Sequence, residues 1–426
     1  MACKFKHRWG SWLLVGLLGS GLISCQKRPQ ASSETDIEFW TMQLQPEFTD
    51  YFNDLITTYE TDKTVEITWV DVPWSAMESK ILTAVSASTA PDVVNLNPDF
   101  ASQLAARDAW LNLNDIVSTE TRDRYLPNIW LANQYEEQSF GLPWYLTTNI
   151  TIYNQDILSE ADVSVPSNYS ELAATARDIK ERTGKYGFFI TFVPEDTGDV
   201  LQSLVQMGVQ LIDKDGQAAF DTEAGRKAFQ YWVDLYQAEL LPPEVLTQGH
   251  RYGIELYQSG QTALLSTGAE FLGTIQRNAP SVGAVSAAAP QITGKTGKKN
   301  VAVMNLTIPK SSKSPTESLD FALFVTNSEN QLAFAKAANV LPSTKEGLQL
   351  YQAELTEAGG SDPLSSARRI SAEQLPETEV LIPVIRNLPE LQRIIYENLQ
   401  AAMLGQKSTE QAVSDAAATW NAMSNP

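Results

Sequence analysis

Three tryptophans and a tyrosine stand where flat rings could meet a ligand: Trp40, Trp74, Trp144 and Tyr145. Polar residues lie close to them in the chain, Gln43 just past the first ring and Asn95, Asn97 and Asp99 between the second and third. A ring covers an apolar C–H face, while amides and carboxylates satisfy a belt of hydroxyls. Such a set suits a polyhydroxylated solute, and it discriminates because a wrong hydroxyl pattern leaves buried polar groups unpaired. Bond-breaking chemistry is thinly provided for. His7 and His250 are the only histidines, and Cys3 and Cys25 the only cysteines. A Ser-His-Asp or Cys-His centre would have to use His250, and a zinc site would lack its commonest ligand. A glycoside hydrolase needs two paired carboxylates; the chain has 51 acidic residues, but no local motif singles out a pair.

These side chains need elements to hold them. Asp36–Trp40 reads as a strand. A helix over about 47–60 carries Phe48, Tyr51, Phe52, Leu55, Ile56 and Tyr59 at helical spacing, and Val65–Val70 alternates as a second strand. This βαβ opening predicts a parallel sheet. Ligands bind beyond the carboxyl ends of the strands in such sheets, so Trp40 and Trp74 are expected to face one. Residues 77–86 read as a helix and 90–96 as a turn and strand. Asp99 then serves either as the cap of a helix over 100–107 or as a ligand contact. In 141–156 a Gly-Leu-Pro turn leads to Trp144 and Tyr145, then to the β-branched run Thr147, Thr148, Ile150, Thr151 and Ile152. That composition predicts a strand. It is expected to be the first crossover between two lobes, with both rings in the cleft.

Further on, helices are predicted over 169–183, 223–239, 390–405 and 409–423, with another beginning at Pro315, and a strand over Phe188–Phe192. Phe229, Trp232 and Tyr236 share one helix face, which reads as core. Asp213 and Asp215 read as turn formers. Gln217 and Ala219 break the pattern a calcium loop would need. Gly294–Lys299 reads as an exposed loop, since Ala289 stands where a phosphate loop needs its first glycine.

The 426 residues allow two or three domains. A hydrophobic content of 43% and a charged content of 19% are globular. A formal charge of −20 argues against nucleic-acid binding. The amino terminus carries Lys4, Lys6, His7 and Arg8, then an apolar run from Trp9 to Ile23, too short and glycine-interrupted for a comfortable membrane span. Leu22-Ile23-Ser24-Cys25 resembles the bacterial lipobox, in which cleavage precedes the cysteine and its thiol is diacylated. Residues 1–24 are therefore expected to be a lipoprotein signal and 25–35 a polar tether. The chain would then be anchored outside the cytoplasmic membrane, at about 0.8 kcal/mol per buried CH₂.

In order, the chain presents a lipobox, Glu-Phe-Trp40, a helix, Val-Glu-Ile-Thr-Trp69, a second helix, Ala-Pro-Asp-Val-Val94, Trp110-Leu-Asn-Leu-Asn114, Gly-Leu-Pro-Trp144 and Tyr-Asn-Gln-Asp156. Together these resemble the family 1 extracellular solute-binding proteins, the lipid-anchored carbohydrate receptors of ABC importers, over essentially the whole mature chain. The resemblance implies an α/β, two-lobed periplasmic-binding-protein fold of type II, each lobe a sheet flanked by helices, joined by about three crossovers. It implies lobes of 36–146 plus 306–341 and of 147–305 plus 342–426, with the later crossings at Val301–Pro309 and Asn339–Ser343. Thr262–Phe271 resembles a family segment ending Gly-x-Trp; Phe271 keeps the ring and loses the indole donor, and Glu270 is the adjacent acceptor. Asn305 falls where the family presents polar groups to ligand, and Thr147 where maltose-binding relatives place a carboxylate. The cleft-facing tryptophan of those relatives maps near Ile395 and is absent, with Arg386 or Arg369 as replacement donors.

The implied function is capture of a sugar or polyol between the lobes, hinge closure and delivery to permease subunits. The implied protein is a monomer held to the membrane through Cys25, with no metal, cofactor or nucleic acid, and is not an enzyme. A receptor for another solute such as a polyamine, peptide or iron, and a secreted glycoside hydrolase, are the competing readings. Binding only of a cationic amine would favour the former, and release of reducing ends the latter.

Overall fold

The computed structural model describes residues 35–424 apart from 62, 195, 360, 361, 383, 384 and 386. Cys25 with the expected signal and tether, and Arg386, lie outside the described residues, as does the side chain of Asp99.

The chain opens with β1 (Thr35–Met42), α1 (Thr49–Glu60) and β2 (Val65–Val72). β1 and β2 pair in parallel from Thr35↔Val65 to Met42↔Val72. The helical spacing of Phe52, Leu55 and Tyr59 turns them onto the sheet, where all three are buried. Next come α2 (Trp74–Ser86), β3 (Val93–Leu96), parallel to β1, and α3 (Pro98–Ala105). After short helical turns and a small hairpin, β4 (Leu142–Thr148) leads almost directly into β5 (Ile150–Asn154). Then follow α4 (Tyr169–Thr183), α5 (Asp199–Gln206), α6 (Glu223–Gln237), α7 (His250–Gln258), β6 (Leu264–Thr267), α8 (Glu270–Asn278) and β7 (Ser286–Ala289). β8 (Lys299–Thr307) returns to the first sheet, followed by α9 (Pro315–Val325), α10 (Ser328–Ala338), β9 (Leu341–Pro342), α11 (Lys345–Ala358) and α12 (Pro363–Gln374). β10 (Thr378–Glu379), α13 (Leu388–Met403) and α14 (Thr409–Ser424) complete the chain.

The first sheet runs β9-β4-β8-β3-β1-β2, with β10 attached to β8. Its β1–β2 and β1–β3 pairs are parallel, and β8 lies antiparallel between β3 and β4. Apolar clusters cover both faces, one around Phe39, Phe52, Trp144 and Phe321, the other around Trp40, Met77, Leu96 and Trp110. The second sheet, β6-β5-β7, is antiparallel and belongs to a lobe whose main core joins Leu201, Phe229 and Trp232 to Leu391, Ile394 and Ile395 of α13.

Several expectations are revised. The third crossing is not at 339–343. Leu341 and Pro342 pair with Leu146 and Tyr145 inside the first sheet, and Leu348, Tyr351, Ala372 and Leu375 still belong to that lobe's core. The chain reaches the second core at Ile382, Ile385 and Leu388. Helix α12 straddles the two lobes, with Ala367 packed beside β5 and β6 and Ala372 in the first core. Residues 301–305, expected in the second lobe, already pair with β4 in the first. Phe188–Phe192 forms no strand: Phe192 N–H donates to the Val245 carbonyl at 2.8 Å, and its neighbours are buried without a ladder. Asp213 is a turn former, its Oδ1 accepting from the N–H groups of Asp215 and Gln217, both at 2.9 Å.

Candidate functional site

Side-chain alternation along a strand decides the first question. Adjacent residues of β4 leave the strand on opposite faces, although the Tyr145 ring still meets Trp144 at 5.0 Å and Phe334 at 5.2 Å between centroids. Trp144 is fully buried in the first core. Its ring stacks on Phe334 at 5.1 Å between centroids and meets Phe52 edge-on at 5.9 Å. The expectation that Trp144 faces ligand is therefore wrong, and core packing is the reason. Tyr145 and Thr147 lie on the other face and are each partly exposed.

Trp40 is corrected on similar grounds. It is buried in the second apolar layer, donates Nε1–H to Glu38 Oε1 at 2.7 Å and carries the Lys80 ammonium 3.9 Å from its ring centroid. Asn305 is wholly buried within the sheet; its Nδ2 donates to the Val303 carbonyl at 3.0 Å and its own carbonyl accepts from Asn95 Nδ2 at 3.2 Å. It is not placed to meet solute. Asn97, not Asp99, caps α3, with Oδ1 accepting from Phe100 N–H at 2.8 Å. Arg369 is on α12, 4.0 Å from Glu373. Ile395 is core.

What remains on the first lobe gathers at the carboxyl ends of β1 and β2. The Asp71 carboxylate shapes the loop after β1, accepting from Thr41 Oγ1 at 2.7 Å, Leu44 N–H at 2.9 Å and Gln45 N–H at 3.1 Å. Gln43, with φ +52°, sits in that loop, and its Oε1 accepts from Trp74 N–H at 3.2 Å. Trp74 starts α2 and is 46% exposed, the one tryptophan among the described residues that shows a large ring to solvent. An exposed tryptophan beside a polar loop at strand ends is an uncommon use of apolar surface, and such surface marks binding.

The second lobe contributes the start of α8 and a cavity behind it. Burial is the main cause that pushes the Tyr145 hydroxyl far up, and the nearby negative charges of Glu270 and Asp71 add to it. Glu270 is half-buried by surface area, yet its carboxylate is folded back where a Cβ on Gly268 would collide with it. Its desolvation pushes its pKa up to about 7, only partly opposed by its own backbone N–H. Phe271, next on the helix, meets the His250 ring edge-on at 6.4 Å. His250 Nδ1 lies 4.0 Å from Asp199 Oδ2, which accepts from Thr197 Oγ1 at 2.8 Å. Helix α13 fixes the loop that carries Thr197: Tyr396 O–H donates to the Thr197 carbonyl at 2.7 Å, and Gln392 Nε2 donates to the Pro194 carbonyl at 2.8 Å.

His250, Asp199, Asn149, Ser266, Gln202 and Gln291 line one cavity, with Phe188, Phe189 and Trp232 among its apolar walls. Polar groups around an aromatic floor are the usual plan of a small-solute site. Sequence reading missed this set. Asn149 and Gln291 fall at crossings, and His250 reads from sequence only as a potential catalytic base. Among the described residues no cluster of His, Cys, Asp and Glu could hold a metal ion.

The Glu270 shift has a measurable consequence. Between about pH 4.5 and 7 the folded state holds a proton that the unfolded chain has released. The contribution of Glu270 to stability therefore falls by on the order of 3 kcal/mol as pH rises through that window and is level above it. Glu270→Gln is expected to flatten this slope in urea unfolding at pH 5 and pH 8. An identical slope in parent and variant would mean that Glu270 titrates normally.

Two sheet-centred lobes, three connecting segments and polar groups at the strand ends define a cleft-type binding protein. The chain belongs to the bacterial extracellular solute-binding protein family, which matches residues 45–332. It is 45% identical to a proposed oligosaccharide periplasmic-binding protein from Synechococcus sp. MITs9220, whose crystal structure superposes with a TM-score of 0.87, covering 91% of this chain and 98% of that one. It is 24% identical over 259 residues to the arabinooligosaccharide-binding protein of Halalkalibacterium halodurans, a match spanning 58% of this chain and 57% of that protein's length. It is 22% identical to the mannitol-binding protein of Pseudomonas aeruginosa, covering 85% and 89% of the two chains. The family and these relatives are binding proteins, not enzymes, and the family's location is extracytoplasmic. No helix among the described residues is long and apolar enough to cross a membrane.

Proposed function

We propose that the chain is the lipid-anchored receptor of an ABC importer for a neutral sugar, oligosaccharide or polyol. The solute would bind between Trp74, Gln43, Tyr145 and Thr147 on one lobe and Glu270, Phe271, His250 and Asn149 on the other. The observation that carries this reading is the exposed Trp74 ring at the strand ends of one lobe, paired with a polar-rimmed, aromatic-walled cavity on the other. An indole takes the C–H face of a pyranose, and amides and carboxylates take its hydroxyls. Contact with both lobes favours the closed form, which the permease would then recognise. Micromolar capture needs about −8 kcal/mol, within reach of a few rings and hydrogen bonds. The lobes are read as 35–148, 301–342 and α11 on one side, and 150–290 with α13 and α14 on the other. The named relatives take sugars or a sugar alcohol, which supports the ligand class.

Calorimetry with a panel of neutral oligosaccharides and mannitol, alongside spermidine and putrescine, tests the proposal. Saturable heat with at least one sugar or polyol is expected. Heat with the amines alone would replace a sugar receptor by a polyamine receptor. Metabolic labelling with a palmitate analogue tests the anchor: label is expected on the parent and lost in Cys25→Ser, and an unlabelled parent would leave the receptor without its lipid.

A further inference from the structure

We infer that a buried chain of side-chain amides couples the three interlobe crossings into a single joint, with Gln374 and Asn300 as its positioning residues. Gln374, at the end of α12, spends both Nε2 hydrogens on the first crossing, donating to Thr148 Oγ1 at 2.9 Å and to the Asn149 carbonyl at 2.7 Å. Its Oε1 accepts from Gln291 N–H at 3.2 Å, on the segment entering the second crossing. Gln291 Oε1 in turn accepts from Asn300 N–H at 2.7 Å, and Asn300 Oδ1 accepts from Leu381 N–H at 3.2 Å on the third. Thr148, Gln291, Asn300 and Gln374 are all buried.

Gln374 ties α12 to the first and second crossings, the Gln291–Asn300 link spans the second, and Asn300 ties it to the third, so no crossing can shift alone without breaking a bond in a low-dielectric setting, where a group left unpaired is costly. Surface ion pairs run beside the chain, Lys298 with Glu379 at 2.5 Å and Lys299 with Glu377. Exposed pairs of this kind hold little by themselves; the backbone ladders that join β8 to β4 and to β10 run alongside, and the amides add side-chain links between the same crossings. Asn149 and Gln291 also line the second-lobe cavity, so the joint reaches the site's wall. That last connection, and only that, rests on the cleft reading.

The test is residue-resolved hydrogen exchange on the full chain with no solute added, so its outcome is independent of what the cleft binds. Gln374→Met keeps side-chain length and removes the amide. Exchange at Gln291 is expected to accelerate by about tenfold, the scale of one buried hydrogen bond. The same acceleration is expected at Leu381, whose N–H bonds Asn300 and not Gln374. Acceleration that stops at Gln291 would reduce Gln374 to a local prop and overturn the coupling. Thr148→Val, which removes one acceptor at the chain's start, gives the same reading should Gln374→Met fail to fold, and an unchanged Leu381 there would equally overturn it.

Discussion

Trp144→Ala is expected to destabilise the protein by about 3–5 kcal/mol, the usual range for a fully buried tryptophan cut to alanine. The ring is walled by Phe39, Phe52, Tyr145 and Phe334, and a cluster so interlocked cannot collapse into the space left. Trp144→Phe should cost much less, because it keeps most of the volume and removes an indole N–H that is buried without a partner. Urea unfolding midpoints give both values. A Trp144→Ala protein of parental stability that had lost its affinity would restore the ring to the cleft.

Trp74→Ala is expected to do the opposite. Nearly half of this residue is exposed, so its truncation should move stability by less than about 0.5 kcal/mol. Affinity for whichever panel sugar binds the parent should fall by about tenfold or more, equivalent to about 1.4 kcal/mol. Trp74→Phe should recover part of it, since a smaller ring still covers a C–H face. Unchanged affinity in a folded Trp74→Ala protein would remove this ring from the site and leave the first lobe without its aromatic platform.

The contrast between these two tryptophans shows what the sequence carried. Element type was legible wherever periodicity was regular: α4 spans the predicted 169–183 because Leu172, Ala176 and Ile179 recur on one face and Asn168 and Gly184 cap the ends. The alternation that gives Trp144 and Tyr145 different degrees of burial was also legible, since residues i and i+1 of a strand leave it on opposite faces. Phe188–Phe192 misled because aromatic and branched residues report burial as much as pairing; here they line a core and a cavity without a neighbour strand. The second-lobe set was beyond reach for another reason. Asn149, Asp199, His250 and Gln291 come from four distant segments that only packing brings together: α13 holds Thr197, which bonds Asp199, and Gln374 bonds both Asn149 and Gln291. The third crossing was misplaced because Leu341 and Pro342 of β9 pair with Leu146 and Tyr145, far back in the chain, which no local pattern announces.

The place of β8 in the first sheet has a consequence for how the molecule comes into being. It lies between β3 and β4, pairing Asn305 with Leu96 and Val303 with Leu146. Until residue 307 has been made, β3 and β4 have no common neighbour and that lobe has no finished core. Contacts of such long sequence separation close slowly, because the intervening loop entropy must be overcome before they form. A nascent chain of this design stays pliable for most of its synthesis.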